Sequence, residues 1–187
     1  MEPEPPVIEA KFPTSGVTKP PAGGPERLPP ICGDFNMRID RNGTWYYQGS
    51  PIGRLALVKL FATALRRDET GQHWLTTPIE NGRIEVEDAP FIAVEALVEG
   101  EGRGRVVRLR TNLDDVVPLD AAHPLRVVYG AGAEPRPYVR VRGNLEARLA
   151  RPVYYHLVDL GEPADDDPMV FGVWSSGQFF PLGRVEP

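Results

Sequence analysis

The sequence contains little cysteine, little histidine and no long apolar run. A single cysteine, Cys32, among 187 residues excludes an internal disulfide and any metal site built from several cysteines. The three histidines show no metal-binding spacing, so we expect neither a bound metal nor another cofactor. No apolar run approaches the ~20 residues that cross a bilayer, and no secretory signal is visible. We therefore expect a cytoplasmic protein without a membrane span.

Positive charge does not predominate, because 26 Asp and Glu residues outnumber 21 Lys and Arg residues and the formal net charge is -5. A chain of this sign is not attracted to phosphate backbones, so we expect no nucleic-acid partner. A hydrophobic fraction of 41% nevertheless suits one or two small domains with a real core.

The first thirty residues differ from the rest, because they hold nine of the 21 prolines and no periodic pattern. Such a segment cannot bury enough apolar surface to offset its ordering entropy. We predict a Pro-rich disordered tail over residues 1–30, an N-terminal half-domain over 31–89 and a C-terminal half-domain over 90–187. The tail could also present a Pro-rich ligand to a protein partner.

The densest signals lie between Asp40 and Pro78 and predict a hairpin, a helix and a strand. Asn42-Gly43 is typical of a two-residue hairpin turn. Ser50 is a candidate N-cap, with Pro51 at the first helical position. The helix predicted from Ile52 to Leu65 is apolar on nearly all sides, so we expect it to be buried.

The second half contains the same order of signals. Gly143 and Asn144 are predicted to open a second helix, whose i, i+4 stripe runs from Leu145 to Leu160 and is kinked at Pro152. The apparent equivalences are Gly49 with Gly143, Ser50 with Asn144, Arg54 with Arg148, and Trp74 with Trp174. We therefore predict an α+β fold built from two similar half-domains, each a hairpin-helix-strand unit.

The stretches GTWYYQGSPIGRLALVKLF and WLTTPIENGRIEVEDAPF resemble the bacterial domain-of-unknown-function family 1285. The resemblance covers roughly residues 34 to 182. It implies two similar half-domains of mixed helix and sheet, the second superficially like a pleckstrin-homology fold. It also implies a cleft between the halves for a nucleotide-like ligand, with a signalling role, and it implies no particular reaction.

Two arginines are the most informative charges. Arg54 and Arg148 each fall near the predicted start of a helix, where a cation opposes the helix dipole. An anionic ligand held by the free helix N–H groups would offset that repulsion. The alternative is a structural salt bridge to Glu80, Asp88 or Glu146.

Further polar residues complete the predicted ligand-binding set. Thr76, Thr77 and Glu80 sit where a strand turns and could contact a ribose or a base edge, although ordinary turn chemistry explains them equally well. The set also includes the two predicted caps, Ser50 and Asn144. No catalytic residue is predicted.

We therefore expect a non-enzymatic protein that holds a small anionic, nucleotide-like ligand between its halves. One alternative is a protein-interaction module without a small ligand. The other is a phosphoester hydrolase, for which His156 and Glu80 are the available bases.

Overall fold

A computed structural model of the chain describes residues 31–130 and 134–184. The segment predicted to be a disordered tail, residues 1–30, lies outside the described residues. Among the described helices, none is long and apolar enough to cross a membrane.

The N-terminal half is built on a six-stranded sheet, which we call the first sheet. Its strands are β1 (Ile31–Ile39), β2 (Trp45–Tyr47), β3 (Ser50–Pro51), β4 (Leu65–Arg67), β5 (His73–Thr76) and β6 (Asn81–Val86). They lie in the order β3-β2-β1-β6-β5-β4, and helix α1 (Leu55–Ala64) connects β3 to β4. The central pair, β1 and β6, is parallel, whereas the other neighbours are antiparallel.

The C-terminal half is built on a second six-stranded sheet. Its strands are β7 (Phe91–Glu99), β8 (Val106–Thr111), β9 (Val116–Pro118), β10 (Leu125–Tyr129), β11 (Pro135–Arg142) and β12 (Leu145–Leu149). Helix α2 (Arg151–Asp159) follows. The chain ends in a three-stranded antiparallel sheet of β13 (Glu162–Pro163), β14 (Val170–Ser175) and β15 (Gln178–Arg184).

The two large sheets share one topology. Each contains two three-stranded meanders, joined at the centre by a parallel pair of its first and last strands, β1 with β6 and β7 with β12. The prediction of two similar halves is therefore confirmed. The fold is mostly β with two helices, because the repeated unit is a pair of meanders and not a hairpin-helix-strand motif.

The predicted residue equivalences between the halves are wrong. Arg54 immediately precedes α1, which connects the two meanders of the first sheet. Arg148 instead lies on β12, whose counterpart in the first sheet is β6. The helices occupy different places in the two halves, since α2 comes after the second sheet is complete.

The predicted first hairpin is confirmed, with Ile39 opposite Trp45, but its turn is longer than two residues. The Gly43 N–H donates to the Asp40 carbonyl at 2.9 Å, and Gly43 adopts φ +80°. This is a turn followed by a left-handed glycine, which suits a three-residue hairpin loop. The Asp40 carboxylate fixes it by accepting the backbone N–H groups of Asn42 and Thr44.

Ser50 does not cap the first helix, and Pro51 does not begin it. Both residues form the edge strand β3, opposite Tyr47 and Tyr46 of β2. The chain is still extended there, so the helix begins only at Leu55, after an N-cap residue that provides no side-chain hydrogen bond. The edge position tolerates Pro51 because the outer side of an edge strand needs no ladder donor.

The expectation that the first helix is buried on all sides is also wrong. Only Val58 and Ala62 of α1 are buried, whereas Leu55 and Leu60 are 51% and 58% exposed. The helix covers the first sheet with a single face, and Phe61 stacks on Trp45 with ring centroids 6.4 Å apart. Its outer face is therefore apolar and open.

The second predicted helix begins too early. Residues 145–149 form β12 with alternating burial, and Gly143-Asn144 is the turn that joins this strand to β11. Leu145 and Leu149 satisfy a period of two as well as a spacing of four, so their stripe fits either element. Pro152 occupies the first turn of α2, where a missing N–H costs nothing, and no kink arises.

One hydrophobic cluster joins both halves. Its largest fully buried side chains include Trp45, Ile39, Leu65, Phe91, Leu109 and Leu157. Helix α2 contributes Val153 and Leu157 to this cluster. The two sheets and α2 therefore share a continuous core.

Two leucines, Leu60 in α1 and Leu65 at the start of β4, test this description of the core. We expect Leu65→Ala to lower the free energy of unfolding by about 2–5 kcal/mol, because Leu65 is fully buried and its loss leaves a cavity. Leu60→Ala should change it by less than about 0.5 kcal/mol, as at other exposed positions. Urea denaturation measures both. Equal losses would show that the outer face of α1 is covered in solution.

Candidate functional site

A cavity with a volume of about 650 Å³ lies between the two halves. We call it the main cavity. One wall comes from the last turns of α1 and from β4, and the other comes from Leu113, Asp115 and the turn between β11 and β12. The site is therefore formed only when the two halves pack together.

The lining of the main cavity is basic, although the chain as a whole carries a net charge of -5. Four cationic side chains line it, against one carboxylate, that of Asp115. The cations are Lys59, Arg66, Arg67 and Arg142. Such a concentration of one sign in a concave site raises the local concentration of anions.

Three of these cations have evident structural roles. Arg142 pairs with Asp115 at 3.1 Å and donates to the Ala62 carbonyl at 2.7 Å. Arg66 donates to the carbonyls of Thr63 and Leu65. Both arginines thus bond backbone carbonyls at the end of α1, where the helix dipole favours cations. Lys59 pairs with the exposed carboxylate of Asp114 at 2.5 Å.

Arg67 is held much more loosely. Its guanidinium lies 3.4 Å from the Gly71 carbonyl, 3.5 Å from the Asn144 carbonyl and 3.9 Å from a Glu146 carboxylate oxygen. These distances are at or beyond the limit of a good hydrogen bond. Glu146 is already occupied, since Arg126 binds both of its oxygens at 2.6 Å. Arg67 therefore keeps most of its donor capacity for a ligand.

Two smaller cavities adjoin the main one. The second cavity, about 370 Å³, extends toward β10 and β11 and includes Arg126, Arg136 and Tyr138 in its wall. The third, about 390 Å³, extends toward the β4–β5 turn and includes Asp68, Glu69 and Arg140. Arg67 and Asn144 line all three cavities, so these two residues mark the point where the cavities meet.

His73 forms part of the second cavity wall and is only 8% exposed. Its Nε2 atom is buried and has no hydrogen-bond partner among the described residues. Burial, reinforced by the positive charge of Arg67 across the β4–β5 pair, lowers the pKa of His73 to about 4 despite the opposing carboxylate of Asp68. The imidazole is therefore neutral at pH 7.

The structure separates the two arginines predicted to bind the ligand. Arg148 lies on β12, where it pairs with Asp88 at 3.2 Å and donates to the Arg41 carbonyl at 2.7 Å. This contact matches the structural alternative of a salt bridge to Asp88. Arg54 is exposed before α1, and its side chain has no ion-pair or hydrogen-bond partner in the described part of the chain. Neither arginine lines any of the three cavities.

The threonines of the predicted set make contacts typical of a turn. Thr76 donates to the Asn81 side chain at 2.9 Å, while the Thr77 hydroxyl and the backbone of Glu80 bond each other across the β5–β6 turn. Ser50 is exposed on the edge strand. Of the seven predicted ligand-binding residues, only Asn144 lines these cavities. The ligand contacts of the other six stay predictions.

Sequence reasoning missed Arg67, which is the residue most available to a ligand. Its position depends on Asn144 and Glu146, which are far away in the sequence. A signal was present in the arginines of β11, at positions 136, 140 and 142. Among the described residues, no group of three His, Cys, Asp or Glu side chains is placed to hold a metal ion.

The comparisons with known proteins point to one family. The family model described as "Domain of unknown function (DUF1285), N-terminal domain" matches residues 26–89. The one described as "Protein of unknown function (DUF1285), C-terminal domain" matches residues 90–182. A search of the curated proteins finds no match.

Two solved structures resemble the chain. A crystal structure of a DUF1285 family protein from Silicibacter pomeroyi DSS-3 is 47% identical, covers 84% of each chain and has a TM-score of 0.79. A DUF1285 family protein from Shewanella baltica OS155 is 23% identical and has a TM-score of 0.53 over 66% of this chain and 90% of its own. At that identity, the second likeness concerns the fold alone.

The contacts of Arg148 and Arg54 predict different effects on stability. Arg148→Ala removes a charged hydrogen bond to the other half and leaves Asp88 without its cation, so we expect a loss of about 1–3 kcal/mol in the free energy of unfolding. Arg54→Ala should change it by less than about 0.5 kcal/mol. Urea denaturation compares the two variants, and a similar loss in both would contradict this assignment.

His73 should make the fold sensitive to mild acid. Its folded-state pKa of about 4 lies below the unfolded value of 6.5, so the unfolded chain takes up the proton first as pH falls. The contribution of His73 to the free energy of unfolding is fully present above about pH 6.5 and is lost as the pH falls toward 4. When the pH falls from 7.5 to 5.5, we expect the titration of His73 to lower the free energy of unfolding of the wild type by about 1 kcal/mol.

The measurement is the urea midpoint at these two pH values for the wild type, His73→Gln and His156→Gln. His73→Gln should lose less stability than the wild type on acidification. His156 is exposed on α2, so His156→Gln should behave as the wild type does. The same pH dependence in all three proteins would show that His73 is not the responsible group.

Proposed function

The chain belongs to the DUF1285 family, and we propose that it is a non-enzymatic protein that binds a small anionic, nucleotide-like ligand in the cleft between its halves. The observation that carries this proposal is the position of Arg67. Its guanidinium is weakly bonded within the protein and lies where three cavities of the cleft meet. A phosphate or carboxylate could take up its free donors in bidentate geometry.

The size of the main cavity supports a small-molecule ligand. Sites for such ligands typically enclose about 300–1,000 Å³, and the main cavity has about 650 Å³. Apolar side chains, Leu65, Leu113 and Leu145, line it beside the cations. A ligand that combines a phosphate with an apolar ring therefore suits this site better than a bare inorganic ion does.

We keep Asn144 in the proposed site, because it lines the same cavities as Arg67. The signalling role, the pleckstrin-like character of the C-terminal half and the cytoplasmic location stay predictions. The hydrolase alternative draws no support from the cleft, since neither His156 nor Glu80 lines the described cavities.

One observation favours the second candidate, a protein-interaction module. Helix α1 exposes Leu55 and Leu60. Lys59 of the same helix lines the main cavity. An apolar helix face is a common recognition element for a partner protein. This candidate is compatible with a ligand in the cleft, because the exposed leucines do not line the main cavity.

Thermal denaturation with a panel of ligands tests the proposal. We expect at least one nucleotide to stabilise the wild type by about 2.7 kcal/mol at a hundred times its Kd, with adenosine and inorganic phosphate weaker. Arg67→Ala should abolish the stabilisation. Arg108→Ala is the matched control, because both side chains are 37% exposed and Arg108 lies on β8 away from the cleft.

The outcomes separate the candidates. Stabilisation that disappears in Arg67→Ala and persists in Arg108→Ala supports the cleft. If only Arg54→Ala abolished the stabilisation by nucleotides, the ligand would instead bind at the predicted start of the first helix. The proposal fails if none of the nucleotides stabilises the wild type, or if Arg67→Ala binds as tightly as the wild type.

A further inference from the structure

The second cavity shares Arg67 and Asn144 with the main cavity, and cations outnumber carboxylates in its wall as well. Arg126 and Arg136 join Arg67 in its wall, together with the carboxylates of Asp88 and Glu146. Both carboxylates are already occupied. Asp88 accepts the Tyr138 hydroxyl at 2.7 Å and pairs with Arg148, while Arg126 binds both oxygens of Glu146.

Arg136 therefore adds an unpaired cation to the second cavity, beside the loosely held Arg67. Its side chain is exposed, and no carboxylate pairs with it in the described ranges 31–130 and 134–184. Two other residues of this wall add no free charge, because His73 is uncharged at pH 7 and the Tyr138 ring stacks against Arg126 at 4.5 Å. An anionic group would find donors from Arg67 on one side and from Arg136 on the other.

The third cavity has the opposite character. Beyond Arg67 it adds one cation, Arg140, but also the carboxylates of Asp68 and Glu69. Hydrogen bonds from the Thr70 hydroxyl and the Trp74 indole lower the pKa of Asp68 to about 2, so this carboxylate is ionised at pH 7. An anion that extends past Arg67 is thus repelled from the third cavity and attracted to the second.

We propose that the ligand of the cleft carries two anionic groups, one in the main cavity and one between Arg67 and Arg136 in the second cavity. The central part of the ligand then passes Asn144, which lines both cavities. This inference rests on the proposed function and specifies its ligand class. Two linked anions gain affinity because the second group binds at a high effective concentration once the first is in place.

The probes are alkanediol bisphosphates of increasing chain length, each compared with the alkyl monophosphate of the same length. Calorimetry at constant ionic strength gives the Kd of each for the wild type, Arg136→Ala and Arg140→Ala. Arg136 and Arg140 are a matched pair, because both are exposed residues of β11 and they line different cavities. Thermal denaturation checks that both variants fold.

We expect one bisphosphate to bind at least ~10-fold more tightly than its monophosphate, as expected for linked groups. Arg136→Ala should remove most of that gain and leave monophosphate binding unchanged, whereas Arg140→Ala should change neither.

Equal affinities of mono- and bisphosphates, with no effect of Arg136→Ala, would overturn this inference and leave the proposed function intact. If Arg140→Ala alone removed the gain of the bisphosphate, the second anionic group would lie in the third cavity, and this inference would also be wrong. Absence of binding by every probe would overturn this inference, whereas the proposed function is decided separately by the nucleotide panel.

Discussion

The arrangement of the two halves depends on two consecutive acidic residues in the short linker between the sheets. Glu87 accepts hydrogen bonds from the Arg38 side chain of β1 and from the backbone N–H of Arg41, both in the N-terminal half. Asp88 accepts the hydroxyl of Tyr138 and pairs with Arg148, both in the C-terminal half. Because neighbouring residues are fixed to opposite halves, the halves cannot separate without breaking charged contacts. The linker therefore ties together the two halves whose residues line the main cavity.

The first hairpin contains a local turn that also contacts the other half of the protein. Gly43 has φ +80°, and an added Cβ would lie 2.8 Å from the Asn112 side chain of the other half. Asn112 in turn accepts the backbone N–H of Ile92 at the start of β7. The sequence signal Asn42-Gly43 correctly indicates a turn, but the glycine is also needed because two parts of the chain approach closely there. No local pattern contains that second requirement.

Most strands follow from alternation and turn residues, whereas the sheet topology and the helix boundaries do not. Ser50-Pro51 has the chemistry of a helix start, yet pairing with β2 keeps it extended. Leu145 and Leu149 fit a helix and a strand equally well, and pairing with β7 and β11 decides for the strand. In both cases a tertiary strand contact overrides a local signal, and one sequence cannot supply the identity of the partner strand.

The candidate site was harder to predict than the fold, because its chemistry depends on which charges remain unpaired. Arg148 has a promising position in the sequence, but Asp88 and the Arg41 carbonyl occupy it. Arg67 has no distinctive motif, but Arg126 has taken Glu146, the one carboxylate within its reach among the described residues. Surface arginines near carboxylates gain little from a direct pair, so a further anion does not have to displace a strong contact at Arg67. Arg67 is thus loosely held because two arginines compete for one glutamate and Arg126 has the closer contacts.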